Sequence, residues 1–225
     1  MTNDRQKCYG FGMDEMNEQF FGNERNKQEL IKKWCNVNVL LIVVNVGVWL
    51  GLSIFGDTTN AMYMREHGAM YPQDVQNGEW YRLFSAMFLH FGIEHLLSNM
   101  FMQYFLGDII LRAIQQWKYL LVYIVSGLGG SVASLVMMQL TSDVAVAAGA
   151  SGAIYGMIGA LLWIVLRNRG TFEDISIPRM LLATVAYISY GFTTEGVDAW
   201  AHLGGALIGF LLSILLYRKP KERSS

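Results

Sequence analysis

The sequence predicts an all-α membrane protein with six membrane-spanning helices. Three observations lead to this fold class: the composition, the apolar stretches and the placement of the basic residues. Of the 225 residues, 53% are hydrophobic and 16% are charged, whereas a soluble domain is about half apolar and about a quarter charged. The net charge of -1 gives no indication of nucleic-acid binding.

Six apolar stretches reach or approach the length of about 20 residues that a helix needs to cross a bilayer. The fifth stretch is short, and the second and fourth contain polar residues. We number them as predicted spans one to six, and they run from Trp34 to Phe55, His95 to Ile114, Trp117 to Leu140, Ser151 to Leu166, Arg179 to Tyr190 and Ala199 to Tyr217.

The basic residues orient these spans. Loops on the cytoplasmic side of a membrane are rich in lysine and arginine. If the N-terminal residues are cytoplasmic, all but two of the 17 basic residues fall on that side, and the exceptions are Arg65 and Arg82. This distribution predicts six spans with both termini in the cytoplasm, so that even-numbered spans start at the outer face.

The domain boundaries follow from the same pattern. Residues 1–33 are predicted to form a cytoplasmic N-terminal tail without the pattern of a cleaved signal peptide. Residues 34–217 form the six-span domain, and residues 218–225 form a cytoplasmic C-terminal tail. The two cysteines, Cys8 and Cys35, have no metal-ligand spacing, and we expect neither a metal nor another cofactor.

Aromatic residues lie at several predicted span ends. Trp34, Trp117, Trp200 and Tyr217 occupy such positions. Tryptophan and tyrosine are enriched at membrane–water interfaces. We therefore interpret all four as interface residues.

Each even-numbered span carries unusual polar residues near its outer end. Span two has His95 and Asn99, span four has Ser151, and span six has His202. Ionisable side chains within spans are costly and usually face the bundle interior or a cavity. His95 and Asn99 share a helix face because they are four residues apart, as do Ser151 and Tyr155. The pattern predicts a polar cluster at one depth.

Small residues predict that spans four and six pack closely. Gly152 and Gly156 form one ridge, and Ala201, Gly205 and Gly209 form another. Such ridges allow helix backbones to approach each other. This packing would bring Ser151 within hydrogen-bond reach of His202, and a serine hydroxyl needs such a base to become a strong nucleophile.

The cluster therefore predicts a Ser151–His202 dyad. His95 and Asn99, with the Ser151 backbone N–H, would donate hydrogen bonds to the oxyanion of a tetrahedral intermediate. Each residue alone also fits a structural role, because a serine in a helix often bonds to its own backbone and a histidine often bridges helices. Asp198 lies one turn before His202 and is predicted to cap the last helix.

These residues resemble the rhomboid family of intramembrane serine proteases from about Trp34 to Tyr217. The blocks that carry the resemblance are GEWYRLFSAMFLHFGIEHLLSNM, GASGAIYG and AWAHLGGALIGF. The resemblance implies that Ser151 is the nucleophile and His202 the general base. It also implies that His95 and Asn99 form the oxyanion site, and that Tyr155 shapes the substrate pocket.

The resemblance further implies a six-helix rhomboid bundle whose long first loop lies partly in the outer leaflet. The expected substrates are single-span membrane proteins, cleaved near the outer face of a membrane that we expect to be a prokaryotic plasma membrane. Two departures from the family pattern are Ala199, where many relatives have asparagine, and Tyr81, which separates Trp80 from Arg82.

Two other functions remain open at this stage. A catalytically silent relative would bind membrane proteins without cutting them, but such members typically lose the serine or the histidine. A small transporter would have inverted repeats and broken helices at mid-membrane, whereas the polar residues here gather near one face.

Overall fold

The computed structural model describes residues 36–172, 175–178 and 197–219. Within these ranges the chain is mainly helical, and the helices are linked by short connections. The helices are α1 Val37–Phe55, α2 Ala61–Glu66, α3 Pro72–Gln76, α4 Arg82–Ser85, α5 Gly92–Ala113, α6 Gln116–Thr141, α7 Ser151–Arg167 and α8 Ala199–Leu216, with a 3₁₀ turn at Ala86–Phe88. Two short strands, β1 Thr171–Phe172 and β2 Ile175–Ser176, form an antiparallel ribbon.

Predicted spans one, two, three, four and six occur as α1, α5, α6, α7 and α8. Predicted span five, most of the N-terminal tail and most of the C-terminal tail lie outside the described residues. Three described helices, α1, α6 and α8, are long and apolar enough to cross a membrane, and α7 is a shorter apolar helix. The all-α membrane class is therefore confirmed, apart from the small ribbon that follows α7.

Side-chain caps define where two of the long helices begin. Asn36 precedes α1, and its Oδ1 accepts a hydrogen bond of 3.0 Å from Val39 N. Asp198 precedes α8, and its Oδ1 accepts one of 2.9 Å from Ala201 N. These bonds satisfy N–H groups that a helix N-terminus leaves unpaired. The predicted capping role of Asp198 is confirmed.

Helices α1 and α6 run in one direction and α5, α7 and α8 run in the other, so that the bundle has two ends. We call the end where α1 and α6 finish and where α5, α7 and α8 begin the upper end. At the lower end, Val37 N donates to Gln116 Oε1 at 3.1 Å, and Lys118 Nζ donates to Leu216 O at 2.8 Å. At the upper end, Ser134 Oγ on α6 donates to Asp198 Oδ2 at the start of α8.

Glycines allow α6, α7 and α8 to pack with their backbones in contact. A side chain at Gly205 would overlap Gly152 O, and one at Gly209 would overlap Gly156 O. A side chain at Gly130 of α6 would lie 2.7 Å from Ala201 O. The predicted close approach of spans four and six is therefore confirmed, and α7 is buried along most of its length.

One interpretation of an interface residue is wrong. Tyr217 is buried, and its hydroxyl accepts a 2.6 Å hydrogen bond from Asn168 Nδ2. A buried phenol needs a hydrogen-bond partner, and this bond joins the lower end of α8 to that of α7. Trp117 and Trp200 are exposed as expected, and Trp34 lies outside the described residues.

Candidate active site

Ser151 is the first residue of the central helix α7. This helix has 17 residues, which gives it a length of about 25 Å, whereas the apolar core of a bilayer is about 30 Å thick. Gly152 of α7 packs against Gly130 of α6, and α6 continues upward from there to Thr141, about 16 Å further. The serine therefore lies recessed among its neighbours, and it is half-buried.

The segment before Ser151 is held in an extended form by the first loop. Ala147 and Met70 exchange two backbone hydrogen bonds of 2.8 and 2.9 Å. Gly149 N donates to Ala86 O at 2.9 Å, and Ala150 N donates to His90 Nε2 at 3.4 Å. Because these bonds hold three of the four residues just before Ser151, they determine how the backbone enters α7.

The first loop is itself braced by charged side chains. Arg65 forms two hydrogen bonds of 2.7 and 2.6 Å with Asp74, and the hydrogen bonds from Arg65 hold the pKa of this carboxyl below its usual value. Arg82 Nη1 donates to Arg65 O at 2.5 Å and to Ala69 O at 3.0 Å. Arg82 thus supports the residues immediately before Met70, a contact that the sequence did not predict for it.

His95 lies against the backbone of Gly149. A Cβ atom at Gly149 would lie 2.8 Å from His95 Cε1, 3.0 Å from His95 Nε2 and 3.8 Å from Ser151 Oγ. The φ angle of Gly149 is 140°, a value that residues with side chains rarely adopt. The absent side chain at this position is therefore what allows the imidazole of α5 to lie against the backbone that leads into α7.

Asn99 is buried one turn after His95 on α5. Its Nδ2 donates a 2.8 Å hydrogen bond to His95 O. An amide nitrogen has two N–H donors, so this bond uses one of them. The structure therefore brings His95 and Asn99 to the same face, as their spacing predicts, with the Asn99 amide tied to its own helix.

His202 lies on the first turn of α8 and is buried. Its ring stacks on that of Tyr155 with a centroid distance of 4.0 Å and an interplanar angle of 10°. Tyr155 is one turn after Ser151 on α7, so the stack places the imidazole beside the first turn of that helix. The hydrogen bond between Ser151 and His202 stays a prediction.

Sequence reasoning missed several buried polar residues deeper in the bundle. Tyr119 donates a 2.8 Å hydrogen bond to Asn38 Oδ1, and Asn45 Nδ2 lies 3.4 Å from the Tyr123 hydroxyl. Gln103 is fully buried on α5. The signal for Gln103 was present, because it follows His95 and Asn99 at the same four-residue spacing.

The described part of the chain contains no group of three His, Cys, Asp or Glu side chains arranged to hold a metal ion. What it does contain is a serine and two histidines from three helices near the upper end. Helices long and apolar enough to span a bilayer, packed through glycine around this recessed cluster, define an integral membrane protein of the all-α class.

A family model described as the rhomboid domain matches residues 77–219. Rhomboid protease GluP of Bacillus subtilis (strain 168) is 33% identical over 177 residues, which are 79% of this chain and 34% of the relative. The chain belongs to the rhomboid family.

Two further relatives have similar identities. RHOMBOID-like protein 5 of Arabidopsis thaliana is 35% identical over 163 residues, which cover 70% of this chain and 51% of the relative. The YdcA protein of Bacillus subtilis (strain 168) is 32% identical over 205 residues, which cover 90% of this chain and 99% of YdcA. The chain thus spans about a third of GluP, about half of the plant protein and almost all of YdcA.

Proposed function

We propose that this chain is an intramembrane serine endopeptidase that acts through a Ser151–His202 dyad. The observation that carries the proposal is the meeting of α5 and α7 at Gly149. The position that a Cβ atom of Gly149 would occupy lies within 4 Å of both His95 Nε2 and Ser151 Oγ. His202 stacks on Tyr155 one turn along α7. Two of the relatives, GluP and YdcA, have names that include rhomboid protease, which supports the same activity for this chain.

In the proposed reaction, His202 takes the hydroxyl proton of Ser151 while the serine oxygen attacks the scissile carbonyl carbon. The tetrahedral intermediate carries a negative oxygen, to which His95, Asn99 and the Ser151 backbone N–H donate hydrogen bonds. Removing one such donor typically costs about 3–4 kcal/mol in the transition state. The C–N bond then breaks, and His202 gives its proton to the departing amine.

Water completes the cycle. With His202 again acting as the base, a water molecule attacks the ester formed on Ser151, and the proton returns to the serine oxygen as the ester bond breaks. The Tyr155 ring holds the imidazole of His202 between the two steps and borders the substrate pocket.

The recessed position of Ser151 supports substrates whose scissile bond lies within the membrane. We propose single-span membrane proteins, cut near the outer face of their span. In this proposal the chain has six spans, both termini are cytoplasmic, and the upper end of the bundle faces outward from a prokaryotic plasma membrane. The first loop, residues 56–91, then lies at the outer leaflet, where Trp80 and Tyr81 are exposed.

Labelling with a fluorophosphonate probe tests the dyad. The wild-type protein in detergent is expected to be labelled, and Ser151→Ala is expected to abolish labelling. His202→Ala should slow it by about a thousandfold or more, because the serine loses its base. Ser53→Ala is the matched control, since Ser53 is an exposed serine near the upper end of α1 whose hydroxyl donates to Trp49 O.

A folded wild-type protein that stays unlabelled, beside a rhomboid protease that is labelled in the same detergent, would contradict the proposal. That result would favour the silent relative that binds membrane proteins without cutting them. Labelling that persists in Ser151→Ala would instead assign the nucleophile to another residue.

A further inference from the structure

Gln103 is a buried amide whose hydrogen-bonding atoms are unpaired. Its side chain is fully buried on α5, and neither Nε2 nor Oε1 has a hydrogen-bond partner in the described part of the chain. Buried amides in folded proteins almost always have partners, either protein groups or ordered water. Inside a membrane bundle this requirement is stronger, because no bulk water reaches the site.

Asn45 on α1 is a second buried amide with an unpaired atom. Its Nδ2 donates to Leu41 O at 2.8 Å and lies 3.4 Å from the Tyr123 hydroxyl. Its Oδ1 has no partner among the described residues. The unpaired groups of Asn45 and Gln103 are complementary, since one is an acceptor and the other offers two N–H donors.

The packing of α1 on α5 places these two amides at similar depths. Asn38 of α1 lies against Gly107 of α5, where a side chain would overlap its amide, and Asn38 Nδ2 donates to Tyr104 O at 3.3 Å. Counting upward from this contact with a rise of 1.5 Å per residue, Gln103 lies about 6 Å higher and Asn45 about 10 Å higher. The two helices are in contact, so the amides differ in depth by less than about one helical turn.

We propose that one or two ordered water molecules are bound inside the bundle between Gln103 and Asn45. The water accepts a hydrogen bond from Gln103 Nε2 and donates one to Asn45 Oδ1. Two such bonds of about 2.8 Å can bridge a donor and an acceptor that are about 5 Å apart. A buried water typically makes about three hydrogen bonds to groups that otherwise have none. This water ties α1 to α5 one turn below Asn99.

The proposal does not depend on the proposed protease activity, because it concerns the pairing of two buried amides rather than the reactivity of Ser151. Its consequence is structural. The water holds α5 against α1 at a level below His95 and Asn99, and so supports the helix that carries them. The test therefore measures the water directly and uses no substrate.

Radiolytic hydroxyl-radical footprinting with mass spectrometry detects bound water, because radicals formed from that water oxidise the nearest side chains. Met100 is the reporter, since it lies three residues before Gln103 on the same buried face of α5. Met64 is the internal control, because it is fully buried among apolar residues of the first loop. In the wild-type protein in detergent, Met100 is expected to be oxidised at least about fivefold faster than Met64.

Leucine has nearly the same volume as glutamine, and Gln103→Leu removes one of the two proposed ligands of the water. It is expected to bring the oxidation rate of Met100 down to that of Met64, while circular dichroism confirms the fold. If Gln103→Leu does not fold, Asn45→Leu replaces it with the same expected loss.

Three results would overturn the proposal. One is equal oxidation of Met100 and Met64 in the wild type. A second is fast oxidation of Met100 that persists in Gln103→Leu, since the label would then come from water held elsewhere. A rise in the melting temperature of Gln103→Leu would also overturn it, because removing a truly unpaired amide stabilises a protein, whereas removing a hydrated one does not.

Discussion

Gly149 shows how one missing side chain can determine the geometry of a site. Its φ of 140° and the position of the His95 ring both disfavour a Cβ atom there. The sequence pattern around Ser151 marks this glycine as part of a motif, but the pattern does not say what the glycine is adjacent to. Only the folded chain shows that the neighbour is an imidazole from another helix.

Gly149→Ala is expected to impair the site more than the fold. The new methyl group would push His95 away and strain the backbone next to Ser151, so fluorophosphonate labelling should fall by about tenfold or more. Gly78→Ala is the matched control: Gly78 also has a positive φ, 103°, but nothing lies within 4 Å of its Cβ position.

Both variants should lose some stability, about 1 kcal/mol, from the strained backbone, and thermal melts in detergent measure this loss. If Gly78→Ala reduces labelling as much as Gly149→Ala does, backbone strain alone explains the effect, and contact with His95 is irrelevant.

At the scale of helices, the packing of α7 against α8 depends on glycine at a few points. The Cβ positions of Gly205 and Gly209 lie only 2.0 and 1.8 Å from backbone carbonyl oxygens of α7. Backbone atoms cannot move aside as a flexible side chain can, so a substitution there must separate the helices. Because His202 is on α8 and Ser151 on α7, this separation acts on the candidate dyad as well as on stability.

Gly209→Ala is therefore expected to destabilise the protein by about 1–3 kcal/mol, which is typical of overpacking in a well-packed core. Thermal unfolding in detergent, monitored by circular dichroism, measures the change. Gly47→Ala is the matched control because Gly47 is also inside a long helix, α1, but nothing lies within 4 Å of its Cβ position.

The control should be slightly stabilising, by about 0.5–1 kcal/mol, because alanine favours a helix more than glycine does. Equal effects of the two substitutions would show that the seam between α7 and α8 is looser than the structure indicates.

At the scale of the whole molecule, the direction of the bundle follows from charge. The arrangement of the basic residues predicts that the connection from α6 to α7 faces outward and that the residues after α7 face the cytoplasm. The upper end, with Ser151 and His202, would then open toward the outside. The burial of side chains within the bundle does not reveal this orientation, because it is the same whichever end faces the cytoplasm.

Single cysteines test the orientation in intact bacterial cells that express the protein. Asp143 and Arg167 are exposed near opposite ends of α7. Each is replaced by cysteine in a chain in which Cys8 and Cys35 are serine. A membrane-impermeant maleimide is expected to label Asp143→Cys in intact cells and Arg167→Cys only after permeabilisation. The reverse pattern would invert the topology, and labelling of both in intact cells would mean that α7 does not cross the membrane.

The sequence by itself determined the class of the protein, the positions of five described long helices and the residues of the candidate site. The physical reason is that a bilayer requires long apolar segments and makes polar residues within them expensive. Residues such as His95 and His202 therefore stand out without any knowledge of contacts. The small-residue ridges also predicted the pairing of α7 with α8, because glycine and alanine positions can be read directly from a sequence.

The tertiary structure alone decided which groups touch. The bonds from Met70, Ala86 and His90 to the segment before Ser151 join residues 60 or more positions apart, and no local pattern encodes such pairings. Tyr217 was misinterpreted for a related reason, since its exposure depends on Asn168 of a neighbouring helix. Hydrogen bonds between distant segments are specified by the packed bundle, whereas the cost of placing a residue in lipid is a property of the residue itself.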